Sequence, residues 1–112
     1  MADTIKRLYG PAALSSTYTT NVFNQSSALL LSVIRHIHVA NKTSAYATFR
    51  LYIGATGANA AGTELFYDQS VGPFASFDYY GELLMASTDF LVGGASAATT
   101  LTITIEGEQL AA

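Results

Sequence analysis

Residues 28–54 read ALLLSVIRHIHVANKTSAYATFRLYIG, and the fold turns on how this stretch is parsed. Residues 28–41 are rich in β-branched side chains, with Val33, Ile34, Ile37 and Val39, the composition of a long strand. Alternation gives one face of Leu29, Leu31, Val33, Arg35, Ile37 and Val39 and another of Leu30, Ser32, Ile34, His36, His38 and Ala40. The first is the better core face, and Arg35 is its misfit. Residues 45–54 alternate cleanly, with Phe49, Leu51 and Ile53 facing one way and Tyr46, Thr48, Arg50 and Tyr52 the other. Asn41, Lys42, Thr43 and Ser44 lie between them. Two long strands joined by a short polar loop predict a β-hairpin.

Toward the C-terminus the same reading predicts strands over residues 64–67, 76–84, 90–92 and 99–106. Turns are expected at Gly72-Pro73 and Gly93-Gly94, and residues 55–63 form a loop of small residues. Toward the N-terminus, residues 18–23 make a short strand and residues 24–27 a turn. The predicted core is Val33, Ile37, Val39, Phe49, Leu51, Ile53, Leu101, Ile103 and Ile105. Seven or eight strands at this spacing, with no alternating helices, predict an all-β fold: an antiparallel β-sandwich, jelly-roll-like.

Residues 1–15 are expected as an extended N-terminal arm, and residues 16–112 as the sandwich domain. The arm carries Ile5, Leu8 and Tyr9 with the cations Lys6 and Arg7, followed by a Gly10-Pro11 break. Alternation puts Ile5, Arg7 and Tyr9 on one side and Lys6 and Leu8 on the other. Two readings are open. These five residues dock on a partner by strand addition, or they form the first strand of their own sandwich.

Composition bounds the class. The 112 residues are 50% hydrophobic and only 12% charged, whereas a freely soluble monomer presents a surface with roughly 25–35% charged residues. A disordered chain is excluded, and an oligomer is expected. Cysteine is absent, which excludes disulfides, thiolate metal sites and cysteine nucleophiles. Residues 1–56 hold five cations and one acid, net +4, while residues 57–112 hold seven acids and no cation, net −7. The halves can pair internally, or complementary ends can steer neighbouring copies together. No secretory h-region follows Lys6 and Arg7, and the most apolar run, residues 28–34, is too short to span a bilayer. No membrane partner is expected, and five cations in an acidic chain predict no nucleic-acid partner.

Chemistry-bearing motifs are few. His36 and His38 share a strand face, in the HxH pattern that cupin enzymes use. Cupins add an upstream Gly, a downstream Glu and a third His; here the Gly position holds Leu30, the two candidate Glu positions hold Lys42 and Thr43, and the chain has only two His. Two imidazoles without a matching carboxylate leave a metal site incomplete, although a pair from a second copy could complete it. There is no G-x-S-x-G, Walker loop or dinucleotide fingerprint. No catalytic residue, metal or cofactor is expected, and the protein is read as non-enzymatic.

The run from Arg35 through Ala45, continuing through Phe49-Arg50-Leu51-Tyr52-Ile53-Gly54, resembles small β-sandwich virion proteins of tailed bacteriophages. There a strand ends in a similar Ala-Asn, a Ser/Thr turn follows, and an alternating strand ends at Gly. Residues 78–82 and 93–97 are similar in style. The resemblance spans residues 33–107. It implies a structural protein of a phage particle, assembled in the host cytoplasm and located in the virion. The expected role is capsid decoration (cement): a homo-oligomer, with a trimer implied, bound to the major capsid protein. A neck, tail or fibre-associated role, with a neck or tail protein as partner, is the alternative within this class. The alternative from another class is a carbohydrate-binding jelly roll using Tyr52, Tyr79 and Tyr80.

Overall fold

The structure, a computed structural model, describes residues 4–24, 30–54, 62–86 and 88–111. Residues 25–27 of the turn expected at 24–27 and residues 55–61 of the loop expected at 55–63 lie outside them, as do residues 1–3. Eight strands follow in order: β1 Thr4–Ala13, β2 Asn21–Asn24, β3 Leu30–Asn41, β4 Ala47–Gly54, β5 Glu64–Val71, β6 Ser76–Met85, β7 Phe90–Ala95 and β8 Leu101–Ala111. One sheet has the order β1-β8-β3-β6, the other β2-β7-β4-β5, and all pairings are antiparallel. Consecutive strands change sheet at every step except β4 to β5. That order is the wrapped antiparallel sandwich called a jelly roll, so the expected fold class is the one observed.

The predicted hairpin between residues 28–41 and 45–54 is not formed. Each segment holds a strand, but β3 pairs with β6 and β8 while β4 pairs with β5 and β7. The connection is an arch between sheets, and Asn41 explains it. Its side chain is buried. Its amide donates to the carbonyls of Ala45 at 2.8 Å and of Val71 and Gly72 at 3.0 Å. Its Oδ1 accepts from the Thr43 N–H at 2.9 Å and hydroxyl at 2.7 Å. These bonds tie the arch to the end of β5 in the opposite sheet, where a hairpin would have returned the chain along β3.

The core fills the space between the sheets with Ile34, Ile37, Val39, Phe49, Leu51, Met85, Leu91, Leu101, Ile103 and Ile105, all without solvent exposure. Ile53 packs against this core but is only partly buried. Val33 is corrected: it is partly exposed, and Ile34 takes the inward place. The cause is a β-bulge. Ile34 pairs with Gly107 and His36 with Glu106, so Arg35 is an extra residue against β8. An extra residue reverses which positions face inward. Arg35 therefore marks the point where the buried face switches from even to odd positions. The backbones approach so closely there that a Cβ on Gly107 would run into the Val33 carbonyl oxygen, which only glycine avoids.

The N-terminal segment is an edge strand of its own sheet. Arg7 lies opposite Glu106 and Tyr9 opposite Ile105, with register shifts on either side of Tyr9. Leu8 and Tyr9 pack against the core, and Lys6 Nζ donates to Gln109 at 3.2 Å. Ile5 takes the register position opposite Glu108. Gly10-Pro11 does not uncouple the segment, because β1 runs on to Ala13 and an edge strand tolerates a missing N–H on its open side. Of the two readings, membership in its own sandwich is the one these backbone bonds describe. Tyr9→Ala is expected to cost about 1–2 kcal/mol, part of the value of a fully buried aromatic. A thermal melt unchanged by that substitution would show that β1 does not hold to β8.

Candidate functional site

The outer face of the β1-β8-β3-β6 sheet gathers a dense cluster of ionisable side chains. β3 contributes Arg35, His36 and His38; β6 contributes Asp78, Tyr80 and Glu82; β8 contributes Glu106 and Glu108. Local sequence explains the placement. His36 and His38 are two apart on one strand and so share a face. The bulge turns Arg35 outward beside them. Register then sets Asp78 opposite His38, and Tyr80 and Glu106 on either side of His36.

Asp78 is the hub. Its Oδ1 lies 2.7 Å from His36 Nε2 and 2.6 Å from His38 Nδ1. On its other side, His36 Nδ1 lies 3.1 Å from Glu106 Oε1. The Tyr80 ring stacks parallel on the His36 imidazole, with centroids 4.5 Å apart and planes within 1°. Arg35 is drawn away from the imidazoles by Glu82 at 2.9 Å and Glu108 at 3.2 Å.

The protonation states follow from these contacts. Burial of His36 favours its neutral form, but its hydrogen bonds to Asp78 and Glu106, with their charges, outweigh this and raise its pKa. An imidazole with a carboxylate on each nitrogen needs a proton on both to satisfy both. The hydrogen bonds from His38 and His36 hold the Asp78 carboxyl below its usual range.

No carboxylate stands close to the His pair in the sequence, where a metal-binding motif would place one. The fold supplies Asp78 from β6, and His36, His38 and Asp78 form a group whose ligand atoms all lie within 4.8 Å of one another. The only advance signal was that Asp78 and His38 each fall on a strand, which leaves their mutual register undetermined.

Two other clusters lie elsewhere on the described surface. On the opposite sheet, Arg50 lies between the rings of Tyr18 and Tyr67, at 4.3 and 4.0 Å from their centroids. Its Nε and Nη2 hold the Asp68 carboxylate at 2.7 and 3.2 Å, and this lowers the Asp68 pKa. Arg35 and Arg50 thus join the basic and acidic halves of the chain internally. At the end of the sandwich that holds the β3–β4 arch, Tyr46 and Phe74 are 75% and 73% exposed. Phe74 has φ +54°, rare for a bulky residue, and its N–H donates to the Thr43 carbonyl at 3.0 Å.

The tyrosines expected to bind sugars do not form one platform. Tyr52 is buried, Tyr79 packs inward against the core, and Tyr80 alone of the three is exposed. Of the expected partner-binding residues, Leu8 and Tyr9 face the core and Lys6 holds Gln109. Among the described residues no concave pocket is present, so the candidate site is an open sheet face. No family model, curated protein or solved structure matches the chain.

Proposed function

We propose that the chain is a non-enzymatic structural protein of a phage particle, a capsid decoration protein that oligomerises and binds the head lattice. The observation that carries this reading is the exposed aromatic pair at the arch end of the sandwich. Tyr46 and Phe74 extend into solvent from backbone fixed by the Asn41 bonds and by the Phe74–Thr43 hydrogen bond. Large apolar side chains presented on a rigid, strained turn favour a preformed contact with another protein surface. Leu84, 60% exposed on the outer face of β6 beyond Glu82, adds a second apolar point. Three further observations support the same reading: the resemblance over residues 33–107, the low charged fraction, and a jelly-roll architecture that viral capsid domains also use. The last is an analogy of fold and carries no residue-level role.

The test combines particle composition with a surface variant. Purified heads should contain the protein in stoichiometric amounts, and light scattering of the isolated chain at micromolar concentration should report an oligomer. The double variant Tyr46→Ser, Phe74→Ser should keep its melting temperature within a few degrees and lose at least about tenfold in particle binding, the loss of an apolar hot spot. A chain that stays monomeric and is absent from the particle would overturn the proposal.

A further inference from the structure

We propose that His36, His38 and Asp78 form a binding site for a divalent transition-metal ion of the zinc type on the outer face of the β1-β8-β3-β6 sheet. This goes beyond the structural role and does not depend on it.

The donor set is the first argument. Two imidazole nitrogens and one carboxylate oxygen suit borderline ions such as Zn²⁺ and Co²⁺, and disfavour Mg²⁺ and Ca²⁺, which prefer oxygen alone. His36 Nε2, His38 Nδ1 and Asp78 Oδ1 lie within 4.8 Å of one another. All three come from two directly paired strands, so the backbone fixes their spacing. His38 and Asp78 are register partners, and His36 lies two residues along the same face.

The hydrogen bonds are the second argument. Asp78 Oδ1 stands between two imidazole nitrogens at 2.7 and 2.6 Å, where each contact needs a proton. A metal ion takes the place of those protons and bonds to all three atoms. Tetrahedral ligands at about 2.0–2.1 Å from zinc stand about 3.3 Å apart, so loading moves the Asp78 oxygen off each imidazole nitrogen by about 0.7 Å and brings the two nitrogens, within 4.8 Å of each other, to that same spacing. The side chains of His36, His38 and Asp78 are 22%, 38% and 33% exposed, which leaves them room to move and leaves a coordination position open to water or to a ligand from another chain.

The surroundings are the third argument. Metal-bound histidines commonly donate their second N–H to a carboxylate, which fixes the tautomer. Glu106 occupies that place for His36 Nδ1, at 3.1 Å. With the proton on Nδ1, the Nε2 lone pair points to the metal position. The stacked Tyr80 ring fixes the plane of the imidazole. Asp78 and Glu106 give the site the sign that attracts a cation, and Arg35 is occupied by Glu82 and Glu108.

The experiment titrates the intact chain with zinc sulfate at neutral pH by calorimetry, and with Co²⁺ followed by its visible absorption. One ion per chain at micromolar or tighter affinity is expected, with Co²⁺ bands of tetrahedral intensity. His36→Gln, His38→Gln and Asp78→Asn should each weaken binding by well over tenfold, and Glu106→Gln by about tenfold, the usual effect of an outer partner. Circular dichroism checks that each variant keeps its strand spectrum. Nitrogen shifts of the imidazoles on loading should identify His36 Nε2 and His38 Nδ1 as ligands. Absence of zinc binding by the folded wild-type chain would overturn the site. So would binding that persists undiminished in His38→Gln and Asp78→Asn.

Discussion

Phe49→Ala is expected to cost about 3–5 kcal/mol and to leave a chain that is barely folded at 37 °C. Phe49 has no solvent exposure and sits in the middle of β4, between β5 and β7. Its ring meets Phe66 of β5 at 5.6 Å and Phe77 of β6 at 5.6 Å, and those two meet each other at 5.4 Å. Phe77 belongs to the other sheet, so this cluster joins the sheets across the core. Truncation removes the transfer energy of the ring and leaves a cavity that both sheets line. It also removes two tilted aromatic pairs worth about 0.5–1.5 kcal/mol each beyond area. Domains of this size are stable by only about 5–15 kcal/mol. At roughly 4–5 °C per kcal/mol, the melting temperature should fall by about 12–25 °C. Phe49→Leu preserves most of the volume and should cost far less, about 1.5 kcal/mol or under. Equal losses for Leu and Ala, measured by urea titration, would mean that the cluster does not join the sheets as described.

Phe49 was legible in the sequence because burial in β4 follows the alternation from Ala47 through Leu51, before Tyr52 is buried as well and Ile53 is left partly buried. The strands and most of the core were readable for the same reason: alternation is a local signal, and Phe49, Leu51, Leu101, Ile103 and Ile105 each obey it. β3 resisted because its alternation breaks inside the strand. Arg35 was visible as a misfit on an apolar face, but a misfit does not say whether the chain has a buried cation or an extra residue. The bulge settles that, and with it the burial of Ile34 in place of Val33. The arch after β3 was illegible for a different reason. A short polar loop after a strand suits a hairpin and an arch equally, and the choice between them lies in bonds from Asn41 to Val71 and Gly72, some thirty residues away.

The candidate site repeats the same limit. His36 and His38 were readable as a pair because a strand's period is two. Asp78 and Glu106 join them only through the registers of β3 with β6 and β8, and no local pattern encodes those registers. The bulge enters here as well. By inserting Arg35 it turns both Arg35 and His36 outward, and so brings His36 between Asp78 and Glu106. A strand without the extra residue would have kept Ile34 and His36 on one face, sending either the imidazole into the core or the isoleucine out of it.

Asn41 offers the other large effect, and its substitutions separate hydrogen bonding from size. Asn41→Asp keeps the shape and the Oδ1 that accepts from Thr43, but replaces the amide that donates to Ala45, Val71 and Gly72 with an oxygen. Three carbonyls then face a carboxylate in a buried position. Loss of the donors and burial of an unpaired charge should together cost about 3–5 kcal/mol at neutral pH. The effect should depend on pH with a definite sign. The surrounding carbonyls favour the protonated acid, so the folded-state pKa of the introduced carboxyl lies above its unfolded value of about 3.9. The folded chain binds the proton more tightly, and stability relative to wild type rises as pH falls through that folded-state pKa. Asn41→Leu, with no proton to gain, should be about as damaging at neutral pH and show no such recovery. Urea titrations of the three proteins across the acid range decide the matter. Recovery confined to Asn41→Asp would establish that the amide protons of Asn41 hold the arch closed. Parallel curves for the two variants would show instead that the arch depends on side-chain volume, and the account of why β3 and β4 part into different sheets would fail with it.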